Sequence, residues 1–188
     1  MIRTIIGVIV AAIVIYAWGF VYWGLGPYHK HIWRHTADNE AAGSALLQHF
    51  PERGTYFVPY SFDDQEKANE LFERGPVAMV HMIAPEGRPM ADPTIMGGGF
   101  VLNLVVIVLV AIVLRSTAAS TPTYLHKLGL MTLIGVTAAI AIDGGDAVWW
   151  QVSWHWKLYQ AVYNTSVWII AGAILALFIP TPKPTTNA

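Results

Sequence analysis

Two acidic side chains interrupt an otherwise apolar stretch of the chain. Asp143 and Asp146 follow the run 128–142 and enclose two glycines. Carboxylates inside a membrane-spanning helix are costly and often mark a path for protons or cations. Asn164, in the next apolar stretch, would line a polar interior with them, although such groups more often hydrogen-bond between helices. The pair therefore predicts a polar or ion site; at a water interface, the same residues would simply end a helix.

Three histidines form a second group, with His29, His31 and His35 lying around Trp33. Imidazole is a common protein ligand of zinc and copper, so this spacing raises the hypothesis of a metal site. On a helix, His31 and His35 share a face and His29 does not. The alternative interpretation is a polar and aromatic segment at a membrane surface.

A third group, Met79-Val-His81-Met82, offers ligands that suit copper(I). On a β-strand, however, Met79 and His81 point to one side and Met82 to the other. An ordinary strand with one apolar face explains this sequence equally well, so no cofactor is predicted from it.

The composition narrows the class of protein. Of 188 residues, 55% are hydrophobic and 12% are charged, whereas soluble domains carry roughly 25% charged residues. The absence of cysteine excludes disulfides, thiolate metal sites, covalent haem attachment and thiol catalysis. The net charge of −1 gives no reason to expect nucleic-acid binding. Nucleotide-loop, HExxH and GxSxG motifs are also missing from the sequence.

The elements that position these residues are four predicted transmembrane helices. A span needs roughly 20 mainly apolar residues, and the sequence offers four such stretches, at about 4–25, 98–114, 128–149 and 158–179. We therefore predict an all-α transmembrane four-helix bundle with a small α+β extracytoplasmic insert between its first two helices. The predicted division is 1–27 for the first helix, 28–97 for the insert, 98–180 for three further helices and 181–188 for a tail.

Loop charges predict the orientation of the bundle. One side carries four cations and no acid (Arg3, Arg115, Lys127 and Lys183). The other side holds the long insert, with six Lys/Arg and ten Asp/Glu, together with Asp143, Asp146 and Lys157. Because cytoplasmic loops are enriched in Lys and Arg, both termini are expected in the cytoplasm and the insert outside.

The insert contains signals for two helices and two strands. A helix is predicted over 38–50 and a strand over 55–60. Ser61 to Asp64 has the spacing of a capping box before a second helix, which should end at Arg74-Gly75. Residues 76–83 are predicted to form the second strand.

Two segments carry a resemblance to a known family. These are Tyr16-Ala-Trp-Gly-Phe-Val-Tyr-Trp-Gly-Leu-Gly-Pro-Tyr28 and Lys157-Leu-Tyr-Gln-Ala-Val-Tyr-Asn-Thr-Ser166 with the helix that follows. Here the chain resembles a family of small, uncharacterised four-helix proteins of the bacterial inner membrane. The insert phrases Gly54-Thr-Tyr-Phe-Val-Pro59 and Gly75-Pro-Val-Ala78 are similar to those of longer relatives. The resemblance implies a fold and a bacterial inner (cytoplasmic) membrane, but no activity or site residues.

Three functions remain open from the sequence. The first expectation is a non-catalytic multi-pass membrane protein, such as a scaffold, assembly factor or accessory subunit that meets a partner of a membrane complex. The second is a small oligomeric transporter or channel that uses Asp143, Asp146 and Asn164. The third is a metal-binding membrane enzyme built on the His29, His31 and His35 group. Enzyme activity is the less expected outcome, and the expected partners are the lipid bilayer and either a complex subunit or a second copy.

Overall fold

The computed structural model describes residues 2–25, 29–61 and 63–181, with the backbone alone for 29 and 30. Contacts divide the chain into two units, 1–34 with 93–188, and 35–92. In chain order the elements are α1 (Ile2–Phe20), α2 (His29–Ile32), α3 (Asn39–His49), β1 (Gly54–Val58), α4 (Gln65–Arg74), β2 (Ala78–Met82), α5 (Pro93–Ser116), α6 (Tyr124–Ala139), α7 (Gly145–Trp149) and α8 (Trp154–Phe178).

Two π-helical turns lengthen the helices of the first unit. Val21–Leu25 continues α1, and Ile140–Gly144 joins α6 to α7 without a break. The described part of the chain therefore contains four helical stretches long and apolar enough to cross a membrane, Ile2–Leu25, Pro93–Ser116, Tyr124–Trp149 and Trp154–Phe178. The number predicted from the sequence is confirmed, and the small two-stranded sheet is present as well.

The predicted start of the second long helix is wrong by five residues. The helix begins at Pro93, inside the stretch predicted as insert, and runs through the three glycines 97–99. Proline at the first helical position does not reduce helix stability, because an N–H at that position would have no partner within the helix. Each glycine disfavours a helix by about 1 kcal/mol relative to alanine, yet the apolar run that follows keeps the segment helical.

Helix α8 is the centre of the first unit, since it packs against α1, α5 and α6. Two glycines bring α6 and α8 together: a Cβ added to Gly135 would lie 2.5 Å from Trp168 Cβ, and one on Gly172 would lie 2.6 Å from Met131 Cβ. Gly7 of α1 meets Phe178 in the same way. Small residues permit this close approach of helices, so these three glycines serve packing within the chain.

The core between the helices is thin and built largely from small or branched apolar residues. It comprises Ala11, Ala12, Ile15, Ile107, Val110, Ala111, Leu114, Met131, Ala171, Leu175 and Ile179. The outward faces are apolar as well; Leu133 and Ile140, for example, are 65% and 69% exposed. Apolar residues on both the inner and outer faces of a helix are typical of a membrane span.

Two cations hold the C-terminal end of α8. The Arg3 guanidinium donates to the carbonyl of Leu177, and the buried Lys127 ammonium donates to the carbonyl of Ile179 at 2.6 Å. Lys127 also donates to Thr181 Oγ1 at 3.2 Å. The last carbonyls of a helix lack partners within that helix and carry partial negative charge. These cations therefore satisfy the end of α8 and place the starts of α1 and α6 beside it.

The second unit, residues 35–92, is an antiparallel β-hairpin with one helix before it and one within its connection. β1 pairs with β2 so that Gly54 lies opposite Met82 and Val58 lies opposite Ala78. Ring contacts join the helical segments to β1, from Phe50 to Tyr56 at 5.0 Å and from Phe72 to Phe57 at 5.8 Å. The helix–strand–helix–strand order predicted for the insert is confirmed.

Helix caps set the bounds of both helices in this unit. The carboxylate of Asp38 accepts from the N–H groups of Glu40 and Ala41. Asp64 caps α4 by accepting from the N–H of Lys67, so the capping box predicted to begin at Ser61 is placed three residues too early. Gly75 ends α4 with φ +63°, a conformation that glycine adopts without steric cost.

Candidate functional site

Four polar side chains meet where α6 and α7 pack against the first half of α8. They are Asp143 in the π-helical turn, Asp146 in α7, and Lys157 and Asn164 in α8, and they are called the charge cluster below. The cluster brings together all three residues that the sequence analysis named, Asp143, Asp146 and Asn164. The fourth member, Lys157, was counted only as a loop charge.

Lys157 is the cation of the charge cluster and contacts both carboxylates. Its Nζ lies 2.6 Å from Asp146 Oδ2 and 3.4 Å from Asp143 Oδ1. Lys157 stands about one helical turn after the start of α8, on the same face as Asn164 two turns further on. The sequence alone does not indicate Lys157 as a member of the cluster, because this lysine lies at the edge of an apolar stretch, where it counts as a loop charge. The available signal was a lone lysine close to two acids across one short loop.

Asp143 is the most deeply enclosed charge of the cluster. Its side chain is 3% exposed, compared with 10% for Lys157 and 36% for Asp146. Asn164 Nδ2 donates to Asp143 Oδ2 at 2.8 Å. Both carboxylate oxygens of Asp143 are therefore paired with groups of α8, which is what a buried carboxylate requires to remain stable.

The π-helical turn determines how the two acids are presented. Residues 140–144 keep the chain helical through Asp143-Gly-Gly-Asp146, and the helix ends only at Trp149. Asp143 lies about 9 Å before that end, given a rise of about 1.5 Å per residue. The prediction that the third long helix continues past these residues to about 149 is confirmed. Their interpretation as the end of that helix at a water interface stays a prediction. π-helical turns often occur at functional sites, which makes this segment a reasonable candidate.

An apolar groove of about 630 Å³ runs along the α6–α8 contact beside the charge cluster. Asp143 and Lys157 lie in its wall, which continues to Val136 and Ile169. Ligand pockets occupy roughly 300–1,000 Å³ and combine apolar walls with a few polar groups. The groove therefore has the size and composition to hold an apolar segment of a lipid or of another helix.

Aromatic and hydroxyl contacts join α1 to α8 on the other side of α8. Tyr22 and Tyr159 stack at 4.5 Å, and each hydroxyl donates to the backbone carbonyl of the other at 2.9 Å. Trp18 Nε1 donates to Ser166 Oγ at 2.7 Å. Tyr22 belongs to the π-helical turn that follows α1. These reciprocal contacts fix α1 against α8 and so hold the helix that carries Lys157.

The histidine group stays a prediction, because the side chain of His29 lies outside the described residues. His31 and His35 are both exposed. His81 is hydrogen-bonded through Nδ1 to Thr55 Oγ1, its partner across the hairpin, at 2.8 Å. Within the residues whose side chains are described, no three His, Cys, Asp or Glu residues are grouped so that they could hold a metal ion.

The charge cluster has a definite chemistry. Two carboxylates and one ammonium leave a formal charge of −1 with Asp146 partly open to its surroundings. Such an arrangement can hold two helices together, or its carboxylates can bind a proton or a metal cation in place of the Lys157 ammonium. Both roles use the same contacts. Ion flux and the stability of the helix packing therefore have to be measured separately.

Comparisons with protein-family profiles, with curated proteins and with solved structures found no match to this chain. The resemblance described from the sequence therefore stays an expectation.

Proposed function

We propose that this protein is a non-catalytic, multi-pass subunit of a membrane complex, in which residues 35–92 bind a partner protein. In this proposal, the four long helices cross a bacterial inner membrane with both termini in the cytoplasm. Arg3 and Lys127 both contact the C-terminal end of α8, so two cations lie at the same end of the helices. Because cytoplasmic ends of membrane helices are enriched in Lys and Arg, this position supports the proposed orientation.

The observation that carries the proposal is the lack of a closed core in the second unit. None of the described residues within 35–92 is buried. Large apolar side chains are instead about half exposed, namely Leu46, Leu47, Phe72, Val77, Met79 and Ile83. A unit of this size is marginally stable even with a core, so burial of these side chains against another surface would stabilise it.

The charge cluster supports the same function from within the bundle. Lys157 and Asn164 of α8 both donate to the carboxylate of Asp143. These hydrogen bonds join two helical segments of the same chain. The cluster thus acts as a clasp that keeps α6 beside α8. A set of helices held together in this way, in a chain whose second unit carries exposed apolar residues, is suited to assembly.

Site-specific crosslinking tests the proposed partner surface. A photo-crosslinking amino acid at Leu47 of the tagged full-length chain is expected to capture one protein in cells, which mass spectrometry of the product would identify. The matched control is the same amino acid at Leu133, which is 65% exposed but lies on α6. It is expected to give lipid adducts or no product.

A double variant measures how much the apolar side chains contribute. Leu46→Ser with Leu47→Ser should weaken recovery of the captured partner roughly thirtyfold, which corresponds to about 2 kcal/mol for two half-buried leucines. Glu40→Gln, on the same helix, serves as the control and should leave recovery unchanged. Equal recovery with the double variant, or capture of only a second copy from Leu47, would contradict the proposal.

A transporter is the second candidate, and the groove beside the charge cluster is the observation that favours it. Asp143 and Lys157 line a groove of about 630 Å³, and ionisable residues within a span often lie on ion paths. In this role Asp146 is the partly exposed carboxylate that a cation would meet first.

Flux through proteoliposomes separates the two candidates. Asp146→Asn should abolish proton- or sodium-driven flux if the chain is a transporter, while the oligomeric state in detergent stays the same. If the chain is a complex subunit, the unmodified protein gives no flux above that of empty vesicles. Flux in the unmodified protein that this variant abolishes would overturn the first candidate.

A further inference from the structure

A second groove lies between α1 and α5, away from the charge cluster. It has a volume of about 370 Å³. Ile5 and Val8 of α1 and Val108 of α5 contribute to its apolar walls. Thr4, in the first turn of α1, and Arg115, in the last turn of α5, also line it. The groove therefore has apolar walls with one guanidinium and one hydroxyl among its lining groups.

Arg115 differs from the neighbouring cations in what it contacts. Arg3 and Lys127 both donate to carbonyls at the end of α8. Arg115 is exposed and makes no ion pair with an acidic residue in the described part of the chain. Its guanidinium is therefore available to an anion outside the protein.

The charges at this end of the helices select the type of anion. Among the described residues, the segments there (the start of α1 and 115–127) contain Arg3, Arg115 and Lys127 and no Asp or Glu. A phosphate group is favoured by such a field, whereas a headgroup amine would meet only like charge. A guanidinium can bind two phosphate oxygens at once, which adds geometric specificity to the attraction.

We propose that the groove between α1 and α5 binds one anionic phospholipid that lacks a headgroup amine. Its phosphate pairs with Arg115, and one acyl chain lies against Ile5, Val8 and Val108. Basic residues next to grooves between membrane helices are a recognised basis for binding of acidic lipids. The site does not depend on the partner surface of residues 35–92, so either proposal can fail while the other stands.

Native mass spectrometry of the full-length chain in nanodiscs tests this lipid site. The nanodiscs would contain equal amounts of phosphatidylglycerol and phosphatidylcholine, and the measured quantity is the ratio of the two lipids that stay bound. The unmodified chain is expected to retain phosphatidylglycerol preferentially. Arg115→Gln should lower that preference about fivefold, since a basic residue near a membrane surface contributes about 1 kcal/mol to acidic-lipid binding.

Two further variants separate the headgroup contact from the groove and from net charge. Val108→Trp fills the groove and keeps the charge, so it should lower the total amount of retained lipid. Arg53→Gln removes an exposed cation from the other unit and should change neither quantity. Inorganic phosphate should not displace the lipid at millimolar concentration. The proposal is overturned if Arg115→Gln keeps the lipid preference, or if the unmodified chain retains both lipids equally.

Discussion

Replacing Lys157 by methionine is expected to lower the free energy of unfolding by about 3 kcal/mol. The substitution leaves Asp143 buried beside Asp146 with no cation between them. Removal of one partner from a buried ion pair costs roughly 3–5 kcal/mol, because an uncompensated charge remains. The lower end of that range applies because Asp146 is 36% exposed and keeps part of its solvation. Unfolding by SDS in mixed micelles provides the measurement.

A neutral triple variant is the control for that prediction. Asp143→Asn, Asp146→Asn and Lys157→Gln together remove every charge of the cluster and keep the side-chain sizes similar. Replacement of a whole buried ion pair by uncharged, hydrophobic residues of similar volume is often neutral. The amides of this variant also leave no uncompensated charge and can hydrogen-bond to one another and to Asn164, so the triple variant should unfold within about 1 kcal/mol of the original. Unfolding of Lys157→Met at the original SDS concentration would show that the charge cluster does not hold α6 to α8.

Replacing Gly135 by valine is expected to destabilise the bundle by about 3 kcal/mol, at the upper end of the usual cost of overpacking. A Cβ at this position would lie 2.5 Å from Trp168 Cβ and 2.8 Å from its Cγ. Because Cβ atoms are fixed to the backbone, neither side chain can turn away, and α6 has to move off α8. The same SDS titration would show the loss of stability.

Gly129 offers a matched control on the same helix. A Cβ added there meets nothing within 4 Å, and valine favours helices slightly more than glycine does. Gly129→Val should therefore leave stability unchanged within about 0.5 kcal/mol. Equal destabilisation by both substitutions would mean that valine itself, and not the contact with Trp168, is responsible.

Local patterns account for most of the secondary structure. Runs of apolar residues predicted four long helices, and all four are present. The insert likewise alternates helix and strand as its turn residues predict. The start of α5 is where the prediction and the structure differ. The apolar run indicated a span from about 98, but the helix extends back through Gly97 to Pro93.

The candidate site was predictable only in part. The sequence indicated Asp143, Asp146 and Asn164 because polar residues are rare in apolar stretches. It did not indicate Lys157 as their partner, since the pairing depends on how α8 folds back against α7 after the loop 150–153. Nor did it predict the π-helical turn 140–144, which keeps Asp143 helical and buried.

The sequence by itself therefore determined which segments are helices, since hydrophobicity and turn residues act over a few neighbouring positions. Only the tertiary structure decided which groups meet. Gly135 and Gly172 allow α6 to approach α8 closely, and that approach sets the distances among Asp143, Lys157 and Asn164. Because protein interiors are close-packed, contacts between residues distant in sequence depend on differences as small as one methyl group. A pattern of neighbouring residues does not contain that information.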